Sequence, residues 1–168
     1  MKFSHKTLIF IAGFVWLAIG IGLLSLGIHF VLETVRNPAL AQIIGCFSFT
    51  SFLSRFVPDR MQAIMLGIVL ALMLGYIKGR LVLAKTVARQ IKRIASLPNP
   101  ASLKYLYSKS YYLLIASMIF LGMMMRYFPI TLDTRGAIDI AIGSALINGA
   151  TLFYRALVHH DLLKKRDI

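Results

Sequence analysis

Two ionisable side chains interrupt stretches of this sequence that are otherwise uncharged. Asp139 falls about one helical turn into residues 136–154, and Arg126 falls near the end of residues 110–128. A charge surrounded by apolar side chains is costly unless it has a partner. Because only a short connection separates the two stretches, the sequence predicts an ion pair between Arg126 and Asp139. Arg135, four residues before Asp139, is the competing partner.

Other polar residues give weaker indications of a functional site. Ser144 and Asn148 share one stripe of residues 136–154, where they either line a polar path or hydrogen-bond to a neighbouring helix. His29 and Glu33 are too few to hold a metal, and "HHDLLKKRD" near the C-terminus is typical of a solvated tail. The sequence contains no Walker A loop, no HExxH, no GxSxG and no cysteine–histidine ligand cluster. We therefore expect no catalytic residue, no metal site and no cofactor.

The composition is that of a membrane protein. Of the 168 residues, 58% are hydrophobic, the mean hydropathy is +0.76 and the formal charge is +13. Soluble domains are about 45–50% apolar. The single cysteine, Cys46, excludes an intramolecular disulfide and any site built from several cysteines.

Four stretches approach the roughly 20 apolar residues that a transmembrane helix needs. They are residues 7–30, 61–77, 110–128 and 136–154. The sequence therefore predicts an all-α, polytopic membrane protein with four transmembrane helices in a single domain, residues 1–168.

A fifth uncharged stretch, residues 37–54, is more polar. It contains Pro38, Gln42 and several serines and threonines. We expect an interfacial or re-entrant element on the outer side of the membrane, and a full fifth span is the alternative. A re-entrant backbone would have to pack against the other helices, because lipid cannot satisfy its polar groups.

The distribution of basic residues orients the chain. With four spans, 14 of the 19 Lys and Arg residues lie in residues 1–6, 78–109 and 155–168. The positive-inside rule then places these segments, and both termini, in the cytoplasm. A fifth span would put the basic block of residues 78–109 outside.

The second helix continues as a basic amphipathic segment to about residue 96, where "LPNP" ends it. Leu83, Val87, Ile91 and Ile94 form its apolar face, which lies either on the inner leaflet or against another helix or subunit. Its basic residues are predicted to contact anionic lipid: Lys78, Lys85, Arg89, Lys92 and Arg93. No aromatic residues are interleaved with these charges, so the pattern does not favour nucleic acid. A bend is expected near Gly75 or Gly79.

Small residues recur every fourth position in helices two and four. These two rows of small residues, called ladders here, align at an offset of 74 residues: Ala63, Gly67, Ala71 and Gly75 fall on Ala137, Ala141, Ala145 and Gly149. At the same offset Asp59 falls on Asp133. Helices one and three align at an offset of 104, as "IAGFVWL" with "IASMIFL". The sequence thus predicts two helical hairpins repeated in parallel. Small residues allow close helix packing, either within the chain or between subunits of a homo-oligomer.

Three segments, "KTLIFIAGFVWLAIG", "GYIKGRLVLAKTVARQIKRI" and "RGAIDIAIGSALINGATLFYR", resemble small, uncharacterised four-helix membrane proteins of bacteria. The resemblance implies a bacterial inner-membrane location and brings no activity.

The leading functional hypothesis is a non-enzymatic scaffold or accessory subunit that contacts lipids, other copies of itself or another membrane protein. A small oligomeric transporter or channel is the alternative. A membrane enzyme acting on lipid ranks last, because no nucleophile and base are visible.

Overall fold

The structure is a computed structural model that describes residues 2–37, 48–95, 101–102, 120, 124, 127–128 and 130–166. Within these residues the chain is mostly helical, with one pairing of two-residue strands and short connections between the elements. In chain order the elements are β1 (Lys2–Phe3), α1 (His5–Arg36), α2 (Phe49–Leu53), α3 (Arg60–Lys78), a π-helical segment (Gly79–Leu83), α4 (Ala84–Ala95), β2 (Ala101–Ser102) and α5 (Leu132–Arg166).

Three helices in the described part of the chain are long and apolar enough to cross a membrane. They are His5–Arg36, Arg60–Ile94 and Leu132–Val158. These contain three of the four predicted spans, and they identify the chain as a membrane protein by length and composition. The fourth predicted span, residues 110–128, lies outside the described residues except at four positions, as does most of residues 37–47.

Helices α1 and α5 pack antiparallel at close range through glycines. A Cβ added to Gly27 would lie 2.7 Å from the carbonyl oxygen of Gly136, and one added to Gly143 would lie 2.7 Å from that of Gly20. Nearer the other end of the pair, a Cβ on Gly13 would lie 3.0 Å from the Cβ of Phe153. Only glycine lets the two backbones approach this closely.

These glycines recur every seven residues. Gly13, Gly20 and Gly27 lie on α1, and Gly136 and Gly143 lie on α5. A seven-residue period keeps side chains along one seam when two helices supercoil in the left-handed sense. In lipid, close van der Waals packing replaces the hydrophobic effect as the force between helices, so this seam is the main attraction between α1 and α5.

Helix α3 packs parallel to α5 on a different face of α5. A Cβ on Gly75 would overlap the carbonyl oxygen of Ala141, and one on Gly79 would lie 2.9 Å from the Cα of Ala145. Moving along α3 thus moves in the same direction along α5. Since α5 contacts both α1 and α3, it is the central helix of the described bundle.

The packed face of α3 continues through the π-helical segment into α4. Ala63, Gly67, Ala71, Gly75, Gly79 and Val87, all buried, are spaced by multiples of four residues. On a straight α-helix a four-residue step passes one full turn by about 40°, so this row would rotate by about 240° over its length. A π turn holds about one extra residue and offsets part of that rotation. Helical structure thereby runs from Arg60 to Ala95 with its packed face still on the bundle.

The start of α1, α4 and the later part of α5 meet at one end of the bundle, here called the α4 end. The buried core there includes Leu8, Trp16, Val87, Ile94 and Phe153. The rings of Trp16 and Phe153 lie edge to face, with centroids 5.7 Å apart. The antiparallel pairing of β1 with β2 ties the chain after α4 to the N-terminus at this end. The opposite end is called the α2 end.

We expect Gly27→Ala to destabilise the protein by about 2 kcal/mol, because its methyl group would be forced against the backbone of Gly136. Gly22→Ala is the matched control, since a Cβ at Gly22 meets nothing within 4 Å. Thermal unfolding in mild detergent, followed by the fluorescence of the buried Trp16, measures both variants. Equal melting temperatures for the two would show that the α1–α5 seam is not as tight as described.

Candidate functional site

The α2 end of the bundle is organised around a buried carboxylate. Asp133, in the first turn of α5, is 1% exposed. Its Oδ2 accepts three hydrogen bonds: 2.9 Å from the Ser48 hydroxyl, 2.7 Å from the Thr50 backbone N–H and 2.7 Å from the Thr50 hydroxyl. The side chain of Thr131, just before α5, also hydrogen-bonds to the Asp133 carboxylate. Hydroxyl and backbone donors from both sides of the contact between α2 and α5 therefore surround this carboxylate.

These hydrogen bonds dock α2 onto α5. The first backbone N–H groups of a helix have no partner within the helix. In α2 the N–H of Thr50 is satisfied by Asp133, and that of Phe49 donates to the Thr134 hydroxyl at 3.0 Å. Ser48 caps α2 locally by accepting from the N–H of Ser51. The described part of residues 37–54 is thus a short helix held against the bundle by hydrogen bonds from its own start.

Side chains also cap the neighbouring ends of α3 and α1. Asp59 caps α3 by accepting from the N–H of Met61 at 3.1 Å. The Arg60 guanidinium donates to the carbonyl of Thr34 in the last turn of α1 at 3.0 Å, where a cation favours the helix dipole. Polar side chains at this end therefore serve first to satisfy exposed backbone groups.

A small cleft lies beside Asp133, between α1, α2, α3 and α5. Its volume is about 240 Å³, including its open mouth. Its lining residues are Val31, Phe49, Thr50, Leu53, Ala63, Ile64, Gly67, Ile68, Asp133, Ala137 and Ile140. Apart from Thr50 and Asp133 this lining is apolar, so the cleft presents one polar corner.

Asp139 is buried in α5, two turns beyond Asp133. Arg126, its predicted partner, lies outside the described residues, so that ion pair stays a prediction. Arg135, the competing partner, attracts Asp139 electrostatically. The Arg135 guanidinium also lies over the ring of Phe30 on α1, 4.9 Å from its centroid.

Ser144 and Asn148 join α5 to α3. The Ser144 hydroxyl donates to the carbonyl of Leu72 at 3.2 Å, and the Asn148 amide donates to the carbonyl of Tyr76 at 3.0 Å. Of the two roles considered for these residues, the geometry favours hydrogen bonding between helices over a polar path. The Tyr76 carbonyl lies just before the π-helical segment, so the hydrogen bond from Asn148 joins α5 to α3 close to where the helix widens.

The two ladders of small residues meet along part of their length. Gly75 packs on Ala141, whereas Gly67 faces Leu53 and Phe49 of α2, and Gly149 faces Trp16 of α1. Helix α2 therefore packs on the part of the α3 ladder around Gly67, and α5 packs on the part around Gly75. The spacing of the small residues alone does not indicate that the ladder has two partners within the chain.

The predicted lipid-contact residues line the exposed side of α4 and its junction with α3. All five are exposed: Lys78, Lys85, Arg89, Lys92 and Arg93. On the opposite side Val87 and Ile94 are buried against α1 and α5, together with Gln90. The apolar face of α4 thus packs on α1 and α5.

Sequence reasoning missed two features of this arrangement. Asp133 was noted only as the counterpart of Asp59 in the repeat, and its burial depends on α2 folding back over it. The second feature is the glycine contact between α1 and α5. The seven-residue spacing of Gly13, Gly20 and Gly27 indicates it in the sequence, but the four-residue ladders of α3 and α5 are more conspicuous.

We expect Asp133→Ala to destabilise the protein by about 3 kcal/mol, because it leaves three buried donors without an acceptor. Asp59→Ala is the matched control: it removes an exposed helix cap and should cost about 1 kcal/mol. Chemical unfolding in mild detergent compares the two. A loss for Asp133→Ala no larger than for the control would show that the carboxylate does not hold α2.

No protein-family model, curated protein or solved structure matches this chain.

Proposed function

We propose that this chain is a non-enzymatic, multi-pass protein of the bacterial inner membrane. In this proposal it is a scaffold or accessory subunit that acts through helix–helix and lipid contacts. Residues 110–128 supply a fourth span, and the chain forms two hairpins repeated in parallel. The parallel packing of α3 and α5 supports such a repeat, because equivalent helices of parallel repeats run in the same direction.

The α4 end is the cytoplasmic end in this proposal. The start of α1, α4 and the later part of α5 gather there, and the exposed basic residues of α4 lie with them. Positive charge favours the cytoplasmic side. Both termini of the chain then lie in the cytoplasm.

The observation that carries the proposal is the fixed orientation of α4. Val87 and Ile94 anchor it to the bundle core, so Lys85, Arg89 and Lys92 project away from the protein. A basic helix packed in this way beside a transmembrane bundle is suited to bind anionic headgroups or an acidic surface of a partner. Each basic residue near an anionic leaflet contributes about 1 kcal/mol.

Helix α3 supplies a second contact surface. Its side away from α5 exposes large apolar residues, including Met65, Val69 and Met73. In a membrane this surface faces lipid, another copy of the chain or another membrane protein. Methionine adapts readily to different partners, which suits an accessory subunit.

We expect the double variant Lys85→Gln, Arg89→Gln to bind phosphatidylglycerol about 30-fold more weakly than the wild type. The matched control is Arg36→Gln, Arg55→Gln, which removes two exposed charges at the α2 end. Native mass spectrometry of the protein in mild detergent, titrated with phosphatidylglycerol or phosphatidylcholine, measures both. Affinity purification from bacterial membranes with the same variants then reports co-purifying proteins and oligomeric state.

Equal loss of phosphatidylglycerol in both double variants would show that binding follows net charge and not the α4 face. A wild type that binds neither anionic lipid nor a second protein would contradict the scaffold proposal itself.

The alternative, a small oligomeric transporter or channel, is favoured by one observation. Asp139 is a carboxylate buried within a helix apolar enough to span the membrane, and such residues often mark ion or proton pathways.

If the chain transports protons, vesicles containing it should dissipate a pH gradient faster than empty vesicles. Asp139→Asn should then slow that flux at least about tenfold, since it removes the titrating group. Asp59→Asn, an exposed carboxylate at the same end, is the control. A pH-sensitive dye inside the vesicles gives the measurement, and wild-type vesicles as tight as empty ones would exclude this alternative.

A further inference from the structure

We propose that α4 is a conformational switch. In the docked state, which is the one described above, its apolar face packs on α1 and α5. In the released state the same face binds an anionic lipid leaflet, and the π-helical segment Gly79–Leu83 is the hinge between the two states. This inference rests on the proposed function, because it takes the α4 end as cytoplasmic and anionic lipid as the ligand of the basic residues.

The packed face of α4 contains a polar side chain whose hydrogen-bonding groups are not satisfied. Gln90 is 9% exposed and lies between Val87 and Ile94 along the helix. Neither its Nε2 nor its Oε1 has a hydrogen-bond partner among the described residues. A buried amide without partners weakens the packing that buries it, whereas at a lipid–water interface the same amide can bind water or headgroups. The docked state is therefore less stable than its apolar contacts alone would make it.

The π-helical segment gives α4 two discrete orientations. A π turn holds about one extra residue, and with it Val87 and Ile94 face the bundle. Conversion of that turn to regular α-helix would rotate α4 by about 100° about its axis. The residues one position earlier, including Thr86 and Arg93, would then face the bundle. Because an apolar core does not accept arginine, a regular helix through this segment releases α4.

The attachments at both ends of α4 permit this movement. Within the π-helical segment Gly79 is buried, but Arg80, Leu81 and Val82 are exposed, so the bundle does not enclose the hinge. Beyond α4 the chain is tied to the N-terminus by the pairing of β1 with β2, which is two residues long on each strand. A strand pair this short is marginal by itself.

The hinge lies close to where the hydrocarbon of a bilayer ends. Helix α3 has 19 residues and is about 28 Å long, and the hydrocarbon core is about 30 Å thick. The 12 residues of α4 follow directly after the hinge. A bend there would lay α4 along the leaflet, with Leu83, Val87 and Ile91 towards the acyl chains and the basic residues among the headgroups.

Anionic lipid is the ligand that shifts the balance between the two states. A ligand shifts a conformational equilibrium only by binding one state more tightly than the other. In the docked state the leaflet can attract only the basic side of α4, whereas in the released state it binds the basic and apolar sides together. A neutral leaflet lacks the attraction for the basic residues. We therefore expect α4 to be docked beside neutral lipid and released beside anionic lipid.

The test follows α4 by fluorescence in vesicles of phosphatidylglycerol or phosphatidylcholine. A bimane label is placed at Ala88→Cys, an exposed position on α4, and Cys46→Ser removes the native thiol. The single tryptophan, Trp16, shares a buried core with Val87 and quenches the label at short range in the docked state. We expect fluorescence at least about twofold higher in phosphatidylglycerol than in phosphatidylcholine.

Equal fluorescence in the two lipids would overturn the switch. If phosphatidylglycerol is nevertheless bound in the native mass spectra, the scaffold proposal survives that result, whereas no bound phosphatidylglycerol would contradict both proposals. Trp16→Phe removes the quencher and should make the fluorescence equal in the two lipids. A difference that persists in Trp16→Phe does not come from release of α4 and would also overturn the switch.

A substitution then tests the role of the buried amide. Gln90→Leu should lower the ratio of released to docked protein in phosphatidylglycerol about tenfold. Leucine adds apolar contact in both states, but only the docked state loses an unsatisfied amide. Gln62→Leu is the matched control, since it makes the same change at an exposed position on α3 and should leave the ratio unchanged.

A deletion tests the hinge. Removing Leu81 lets a regular α-helix present Val87 to the bundle, so α4 should stay docked in both lipids. Leu81→Ala keeps the number of residues and should behave as the wild type. Release that is unchanged in both Gln90→Leu and the deletion would overturn the proposal. If the deletion variant does not fold, Gln90→Leu decides, and unchanged release in that variant alone would overturn it.

Discussion

The close approach of α1 and α5 is the constraint on which the rest of the described structure depends. Gly27 with Gly136 and Gly20 with Gly143 place each helix against the carbonyl groups of the other. In a lipid environment apolar side chains gain nothing by leaving water, so association depends on how closely the backbones can pack. The seam also fixes the register of α5. Once α5 is positioned, its other faces determine where α3 and α2 bind.

Helix α5 carries three sets of contacts that do not overlap. Glycines face α1, Ala141, Ala145, Ser144 and Asn148 face α3, and Asp133 and Thr134 at its start hold α2. This division explains why a long, largely apolar helix contains a carboxylate at its start and a hydroxyl and an amide on the face towards α3. The polar groups at its start satisfy backbone groups of α2. Ser144 and Asn148 instead add hydrogen bonds to α3 carbonyls, which specify its register.

The π-helical segment links the membrane bundle to the basic surface. Without it, the four-residue spacing of small residues would carry the packed face of α3 steadily around the helix. The widened turn at Gly79–Leu83 brings Val87 and Ile94 back onto the bundle, and the basic residues of α4 are thereby directed outward. Gly79 has a direct role here, since a Cβ would lie 2.9 Å from the backbone of Ala145. The orientation of the α4 charges thus depends on helix packing within the chain.

By itself the sequence determined the class of protein. Apolar stretches long enough to span a membrane predicted the helices that the structure contains at residues 5–36, 60–94 and 132–158, because length and composition suffice for that inference. Four spans and the repeat stay predictions, since residues 110–128 are largely outside the described part of the chain. Only the tertiary structure decided which helix each small residue faces, that α2 packs on part of the α3 ladder, and that Asp133 is the buried carboxylate that holds α2. The physical reason is that periodicity identifies a face of a helix but not its partner. Burial of one side chain is decided by distant residues: Ser48 and Thr50, more than eighty positions before Asp133, make its site.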